Sequence, residues 1–490
     1  MKTTFSTCRA LLFLLFYSGH GFVLAQDIQY APDIEKKIKE VENNLGLWVQ
    51  IEGAKIDATL QDRMAFHKVN GVSIAVVKNY KIEWARGFGW ADINTKQPVT
   101  TATLFQAGSI SKSLNGVGVL KLVQEGKLDL SADINDYLKS WKFPYNELSK
   151  GKKISTANLL SHTAGLTIHG FPGYEVGKPL PTYAQILDGA KPANTSAVRS
   201  AFEPGLKFQY SGGGTTISQV MVEDITGQPY DVYMWENVLK PMGMLSSSYT
   251  QPPASGKPLA TAHNNKGKAI KGNYHLYPEQ AAAGLWTNPS DLASYIIETQ
   301  LALEGKSSKV LSESMTKLRL TPFIDKSSAL GVFVDQRGEQ TYFQHGGVDE
   351  GFVAQYYGSI EGGNGVVVMA NTATTSIIPE IINSVAKVYD WKGFYNPQRK
   401  KVVEVADALL NTYLGDYKLG DVRVSIKKEG KDVYVIQDGR KMKLYFNSDT
   451  DFFILEVPRG EFSFLKDSEN KITGIQQTQG SDSFKLMKVL

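Results

Sequence analysis

Along residues 33–45 the apolar positions Ile34, Ile38, Val41 and Leu45 recur at spacings of four, three and four, the mark of one buried face on an α-helix. The period then changes. Residues 72–77 form a short apolar run, Asn79-Tyr80 supply turn residues, and residues 82–87 follow as a second run, which predicts a β-hairpin. A long middle stretch carries helical spacings broken by loops. Strand patterns return at 331–334 and 341–344, joined by a turn around Gly338. They continue at 352–357 and 366–370, joined by Gly362-Gly363-Asn364-Gly365, and residues 377–389 close this part as a helix. Early and late strands with flanking helices predict one antiparallel sheet assembled from both ends of a domain over 30–395. The middle would form a separate helical lobe.

The pattern shifts again after Trp391. Asn396-Pro397-Gln398-Arg399-Lys400-Lys401 reads as a polar linker. Beyond it, short alternating runs recur at 422–427, 433–437, 442–446, 452–457, 462–465 and 484–489, with Asp438-Gly439 and Arg459-Gly460 as turns. Residues 402–490 are therefore expected to form an all-β accessory domain, most simply a small barrel.

Composition narrows the function classes. The chain has 490 residues, 42% hydrophobic and 21% charged, as in ordinary globular proteins of more than one domain. Lys and Arg number 53 against 49 Asp and Glu, and no basic cluster is interleaved with aromatics, so nucleic acid is not an expected partner. Residues 1–25 read as a cleaved signal peptide. Lys2 and Arg9 give a basic start, 11–17 are apolar, and Val23-Leu24-Ala25 end on a small residue. The run is shorter than the roughly 20 residues of a bilayer span, so a periplasmic or secreted protein with no later membrane span is expected. Cys8, the only cysteine, precedes that run. The mature chain would hold no thiol, which excludes a cysteine nucleophile, a thiolate metal site and a disulfide.

A Ser-x-x-Lys tetrapeptide places a hydroxyl and an amine one helical turn apart. It occurs seven times, from Ser109, Ser149, Ser314, Ser384, Ser425, Ser463 and Ser468, so context must choose. The last three lie in the β-rich tail, Ser149 in a polar loop, and Ser314 and Ser384 on helix faces. Ser109 alone follows a glycine and opens a helix, with Ile110, Leu114, Val117 and Leu120 at helical spacing. Free N–H groups of a first helical turn can stabilise an oxyanion. A helix start and burial disfavour a charged amine, which suits Lys112 to accept the Ser109 proton.

Further segments accompany Ser109-Ile110-Ser111-Lys112. They are Leu160-Ser161-His162-Thr163-Ala164-Gly165, Pro204-Gly205 ahead of Tyr210-Ser211-Gly212, Pro241-Met242-Gly243-Met244, Gly284-Leu285-Trp286 and His345-Gly346-Gly347. In this order the chain resembles the serine β-lactamase and penicillin-binding-protein superfamily, in its class C-like esterase and D-aminopeptidase branch. The resemblance implies an α/β sandwich with the site between sheet and helical lobe, and a lipocalin-like barrel as the tail. It implies Ser109 as nucleophile, Lys112 as proton acceptor and Tyr210 as proton shuttle. It also places an oxyanion hole at the amides of Ser109 and Val348, puts His162 in a structural turn, and lets Trp286 and Phe352 line or support the cleft. No metal or other cofactor is implied.

Two positions depart from the family's pattern. An asparagine that holds a substrate amide is Gly212. The lysine of the edge-strand triad is His345 in His345-Gly346-Gly347, expected to be neutral at pH 7 and charged in mild acid. The expected function is an exported serine hydrolase of small esters, amides or peptides. The alternatives are a β-lactamase or D-Ala-D-Ala carboxypeptidase, disfavoured by those two departures, and a non-catalytic binding or sensor protein, disfavoured by the intact Ser109, Lys112 and Tyr210.

Overall fold

The computed structural model describes residues 29–54, 58–457, 460–479 and 482–489; the expected signal segment with Cys8, and Arg459 of one expected turn, lie outside them. Helix α1, Pro32–Glu42, opens with proline at its first turn and with Asp33 and Glu35 set against the helix dipole. It stops short of the apolar spacing. Leu45 is buried from the loop beyond rather than from the helix.

A seven-stranded sheet organises the main domain. Its strands are β1 Gly71–Lys78, β2 Lys81–Asp92, β3 Gln97–Pro98, β4 Phe333–Arg337, β5 Gln340–Asp349, β6 Phe352–Ser359 and β7 Gly365–Ala370, in the order β3-β2-β1-β7-β6-β5-β4. Every neighbouring pair is antiparallel, and the early and late strands join where β1 pairs with β7. The β1–β2 turn has Asn79 and Tyr80 at φ 50° and 61°, the left-handed pair that a tight hairpin requires.

Both faces of the sheet are covered at its centre, so β1 and β7 are apolar on both sides. Val72, Ile74 and Val76 face one core with α1 and the helix Ile377–Val388. Ala75 and Val77 face the other, with the helices Ser111–Gln124, Gly212–Thr226 and Pro289–Leu303 of the helical lobe. β4 pairs only with residues 340–344 of β5, which leaves the outer edge of 345–349 without a strand among the described residues. The motifs around Ser109, Tyr210 and His345 meet at that edge.

The segment expected as a linker is more than one. Gln398–Lys400 pairs in parallel with Val49–Ile51, tying the tail to the start of the domain. The tail is a nearly closed, all-antiparallel nine-stranded barrel-like sheet whose two end strands, Arg440–Lys443 and Tyr445–Phe446, are consecutive in the chain. Inside it Tyr413 stacks on Phe464 at 3.9 Å. Two strands escape the sequence pattern, Gly415–Leu419 and Ile472–Gln479, because neither alternates apolar with polar residues cleanly. The barrel also packs on the main domain, with Phe453 and Leu455 in the core shared with α1.

Candidate active site

Ser109 is the middle residue of a tight 3-10 turn, Gly108–Ile110, that leads directly into the buried helix Ser111–Gln124. Two glycines bring this turn against β5. Gly108 has φ +51°, and a side chain there would meet the Val348 amide at 2.6 Å. A side chain on Gly347 would lie 1.8 Å from the Ala107 carbonyl oxygen and 3.2 Å from the Ser109 amide nitrogen. Any larger residue would push the two backbones apart. The amides of Ser109 and Val348 are therefore neighbours. The turn is tied behind by Ser111, whose hydroxyl donates to Gly108 O at 2.6 Å and accepts from the Leu285 amide at 3.0 Å.

Lys112 is 3% exposed and sits one helical turn after Ser109. Its Nζ lies 3.0 Å from Ser109 Oγ and donates to the Ala282 carbonyl at 2.7 Å. Tyr210 completes the group, with Lys112 Nζ 5.0 Å from the centre of its ring. That ring is packed on several sides, by His162 at 4.2 Å, His169 at 4.8 Å and Phe333 at 6.4 Å.

His162 has a positioning role that the sequence only outlined. It stands at φ +57° just after the helix Thr156–Leu160, its carbonyl accepts from the Gln209 amide, and its Nδ1 accepts from the Ser211 amide at 3.2 Å. That bond fixes the neutral tautomer with the proton on Nε2. Burial first, and the Lys112 charge second, push His162 well below its ordinary pKa. A neutral ring thus holds both flanks of Tyr210 and stacks on its face.

His345 is 3% exposed, and its Nδ1 donates to the Gly346 carbonyl at 2.6 Å. Burial, with a smaller contribution from Lys112, pushes its pKa down to about 3. The mild-acid protonation expected from sequence therefore does not occur. Gly212 opens its helix against the loop 169–171, where a side chain would meet His169 O at 3.0 Å and the Phe171 ring at 3.2 Å. The space that an asparagine would need is filled. Gly346 and Gly347 follow His345 on the open edge of β5, beside Ser109.

Two buried carboxyl groups, Asp349 and Glu279, carry no sequence signal. Asp349 shares a β5 face with His345 and Gly347, lines the cleft, and has no well-formed hydrogen bond to either oxygen. Burial raises its pKa well above normal, against an opposing pull from Lys112. Glu279 is fully buried, accepts a long 3.4 Å bond from the Tyr174 hydroxyl, and is pushed up by burial to about 7. Trp286 and Phe352 are fully buried in ring contact at 5.7 Å, and Trp286 pairs with Gln106 just ahead of the Ser109 turn.

A serine bonded to a buried lysine one turn further on, between an antiparallel sheet and a helical lobe, is the arrangement of the serine β-lactamase and penicillin-binding-protein class. The chain belongs to the beta-lactamase family, whose model matches residues 56–379. Protein flp of Staphylococcus aureus (strain N315) is 23% identical over 338 residues, 67% of this chain and 64% of that protein. The chain thus spans less than two thirds of that relative's length. Among solved structures, the octameric penicillin-binding protein homologue from Pyrococcus abyssi matches with TM-score 0.59 and 20% identity, covering 88% of this chain and 98% of its own. The D-amino acid amidase from Ochrobactrum anthropi SV3, solved with L-phenylalanine, matches with TM-score 0.55 and 19% identity over 73% of this chain and 98% of its own. At these identities the likeness is one of fold.

Proposed function

We propose that the protein is an exported serine hydrolase that cleaves small esters or amides through an acyl-enzyme. The observation that carries this reading is the 3.0 Å contact between Ser109 Oγ and the buried amine of Lys112. In the proposed cycle the Ser109 hydroxyl gives its proton to Lys112 as Oγ attacks the substrate carbonyl. The amides of Ser109 and Val348 receive the oxyanion. Collapse breaks the bond to the alcohol or amine, which takes a proton by way of Tyr210, and water later releases the acyl group from Ser109. Export rests on the pattern of residues 1–25; among the described residues no helix is long and apolar enough to cross a membrane.

The substrate reading follows from His345 and Gly212. A neutral His345 supplies no cation for a carboxylate, and Gly212 supplies no amide side chain. Substrates that depend on both contacts, such as β-lactams, should lose one charged and one neutral hydrogen bond, worth about 1.5–3 and about 1 kcal/mol. We expect kcat/KM for p-nitrophenyl acetate to exceed that for nitrocefin by roughly a hundredfold or more, and the ratio not to narrow from pH 8 to pH 5, because His345 stays neutral throughout. Nitrocefin turnover equal to the ester's would overturn the substrate assignment and favour a β-lactamase.

A further inference from the structure

The cavity that holds Ser109 does not end at the cleft. It has a volume of about 940 Å³, near the top of the roughly 300–1,000 Å³ range of small-molecule pockets and far more than a small acyl group fills. It runs round the unpaired edge of β5 to the opposite face of the sheet, where Trp48, Tyr357, Phe394 and Leu455 line it. Leu455 belongs to the C-terminal barrel, so the tail contributes to the wall of the cavity that contains the nucleophile.

Arg337, the last residue of β4, lines the same chamber. It stands opposite Gln340 on β5, five residues from His345 and so about 17 Å away along the strand. Its guanidinium lies 4.7 Å from the Tyr357 ring centre and 5.1 Å from that of Phe394, and it has no ion-pair partner among the described residues. Apart from Asp349 at the cleft end, the carboxylates that line the cavity are differently placed. Glu380 is bonded to Arg63 at 2.7 Å and Glu456 at 3.4 Å. Arg337 is thus a cation without a counter-ion, held by two aromatic faces with its planar N–H edge free for a carboxylate.

The geometry points to this chamber as the binding site for the distal arm of an extended substrate, an apolar chain ending in a carboxylate, with Arg337 as the anion's receptor. The inference rests on Ser109 as the nucleophile at the near end. Apolar and aromatic walls take the chain, and the barrel residue Leu455 closes one side.

Calorimetric titration of the full-length Ser109→Ala protein with dodecanoate tests this without turnover. We expect measurable binding, weakened roughly tenfold or more when Arg337→Gln is added, weakened again when Leu455→Trp fills the wall, and none for acetate. Dodecanoate should also compete with p-nitrophenyl acetate on the wild-type protein. Absent binding, equal affinity in the Arg337→Gln protein, or binding without competition would each overturn the inference. A wild-type protein that hydrolyses no ester would sink the hydrolase reading instead, while the titration would still report on the chamber.

Discussion

Two clusters of buried charge lie on opposite faces of the central sheet, and they are built in opposite ways. Behind the sheet, Arg63 donates through Nε and Nη2 to both oxygens of Glu380 at 2.7 Å, and His67 Nε2 lies 3.0 Å from the same carboxylate. Burial works against the Glu380 charge, yet the Arg63 bonds outweigh it and its pKa falls below the ordinary value. In front of the sheet, Asp349 feels both the Lys112 amine and the Glu279 carboxyl, burial drives both carboxyl pKa values up, and their oxygens are largely without partners. Paired charge locks one region. Unpaired polar groups are costly where nothing needs them, and they lie in the region where the proposed reaction would move protons.

The largest effect should come from breaking the front cluster. Lys112→Ala and Tyr210→Phe are each expected to slow acylation by roughly two to four powers of ten, the range for a lost general base or acid. The double variant should lose little more than the worse single one if both serve one proton path. Burst kinetics with a p-nitrophenyl ester measure this, and a Tyr210→Phe enzyme as fast as wild type would remove Tyr210 from the path.

Breaking the rear cluster should instead cost stability. Arg63→Met leaves Glu380 buried without its partner, a change worth about 3–5 kcal/mol. Urea unfolding should show that loss, while kcat of the folded protein on a small ester stays near wild type. Because Arg63 also reaches Glu456 of the barrel at 3.4 Å, the variant should loosen the seating of the tail. An unchanged unfolding midpoint would show that the pairing is dispensable.

A smaller effect sharpens the contrast through pH. Glu279 is raised from 4.5 in the unfolded chain to about 7 in the folded one, so its contribution to stability is fully present below pH 4.5 and lost as pH rises through 7. Glu279→Gln keeps an acceptor for Tyr174 and has no proton to lose. Relative to wild type it should gain about 3 kcal/mol between pH 4 and pH 8, read from unfolding midpoints at the two values. Parallel curves for the two proteins would place the Glu279 pKa near its ordinary value.

How much of this was legible in the sequence depended on how local the signal was. The hairpin of β1 and β2, the late strands and the helix after Ser109 follow from short-range periodicity and turn residues, and the structure keeps them, with β2 and β5 each ending five residues later than the pattern. Ser109, Lys112, Tyr210 and His345 lie in short motifs, and the fold brings them to one cavity. The partners that tune them were illegible. Asp349 sits in Val348-Asp349-Glu350-Gly351, where no local pattern marks it as buried, and the fold buries it against Gly108, Tyr277 and Glu279. Arg63 and Glu380 meet across 317 positions of chain, and Gln398–Lys400 finds Val49–Ile51 from a segment that reads as linker. Such pairings are set by the tertiary fold and leave no local pattern.

The central claim is that Ser109 is the nucleophile, activated by Lys112. A fluorophosphonate probe followed by intact-protein and peptide mass spectrometry tests it most directly, on wild type and on Ser109→Ala side by side. The account predicts one covalent adduct on the Ser109 peptide of the wild-type protein, slowed in Lys112→Ala. It predicts none in a Ser109→Ala protein that still unfolds within about 1 kcal/mol of wild type. An adduct that persists in Ser109→Ala, or one carried by another residue of the wild-type chain, would contradict it.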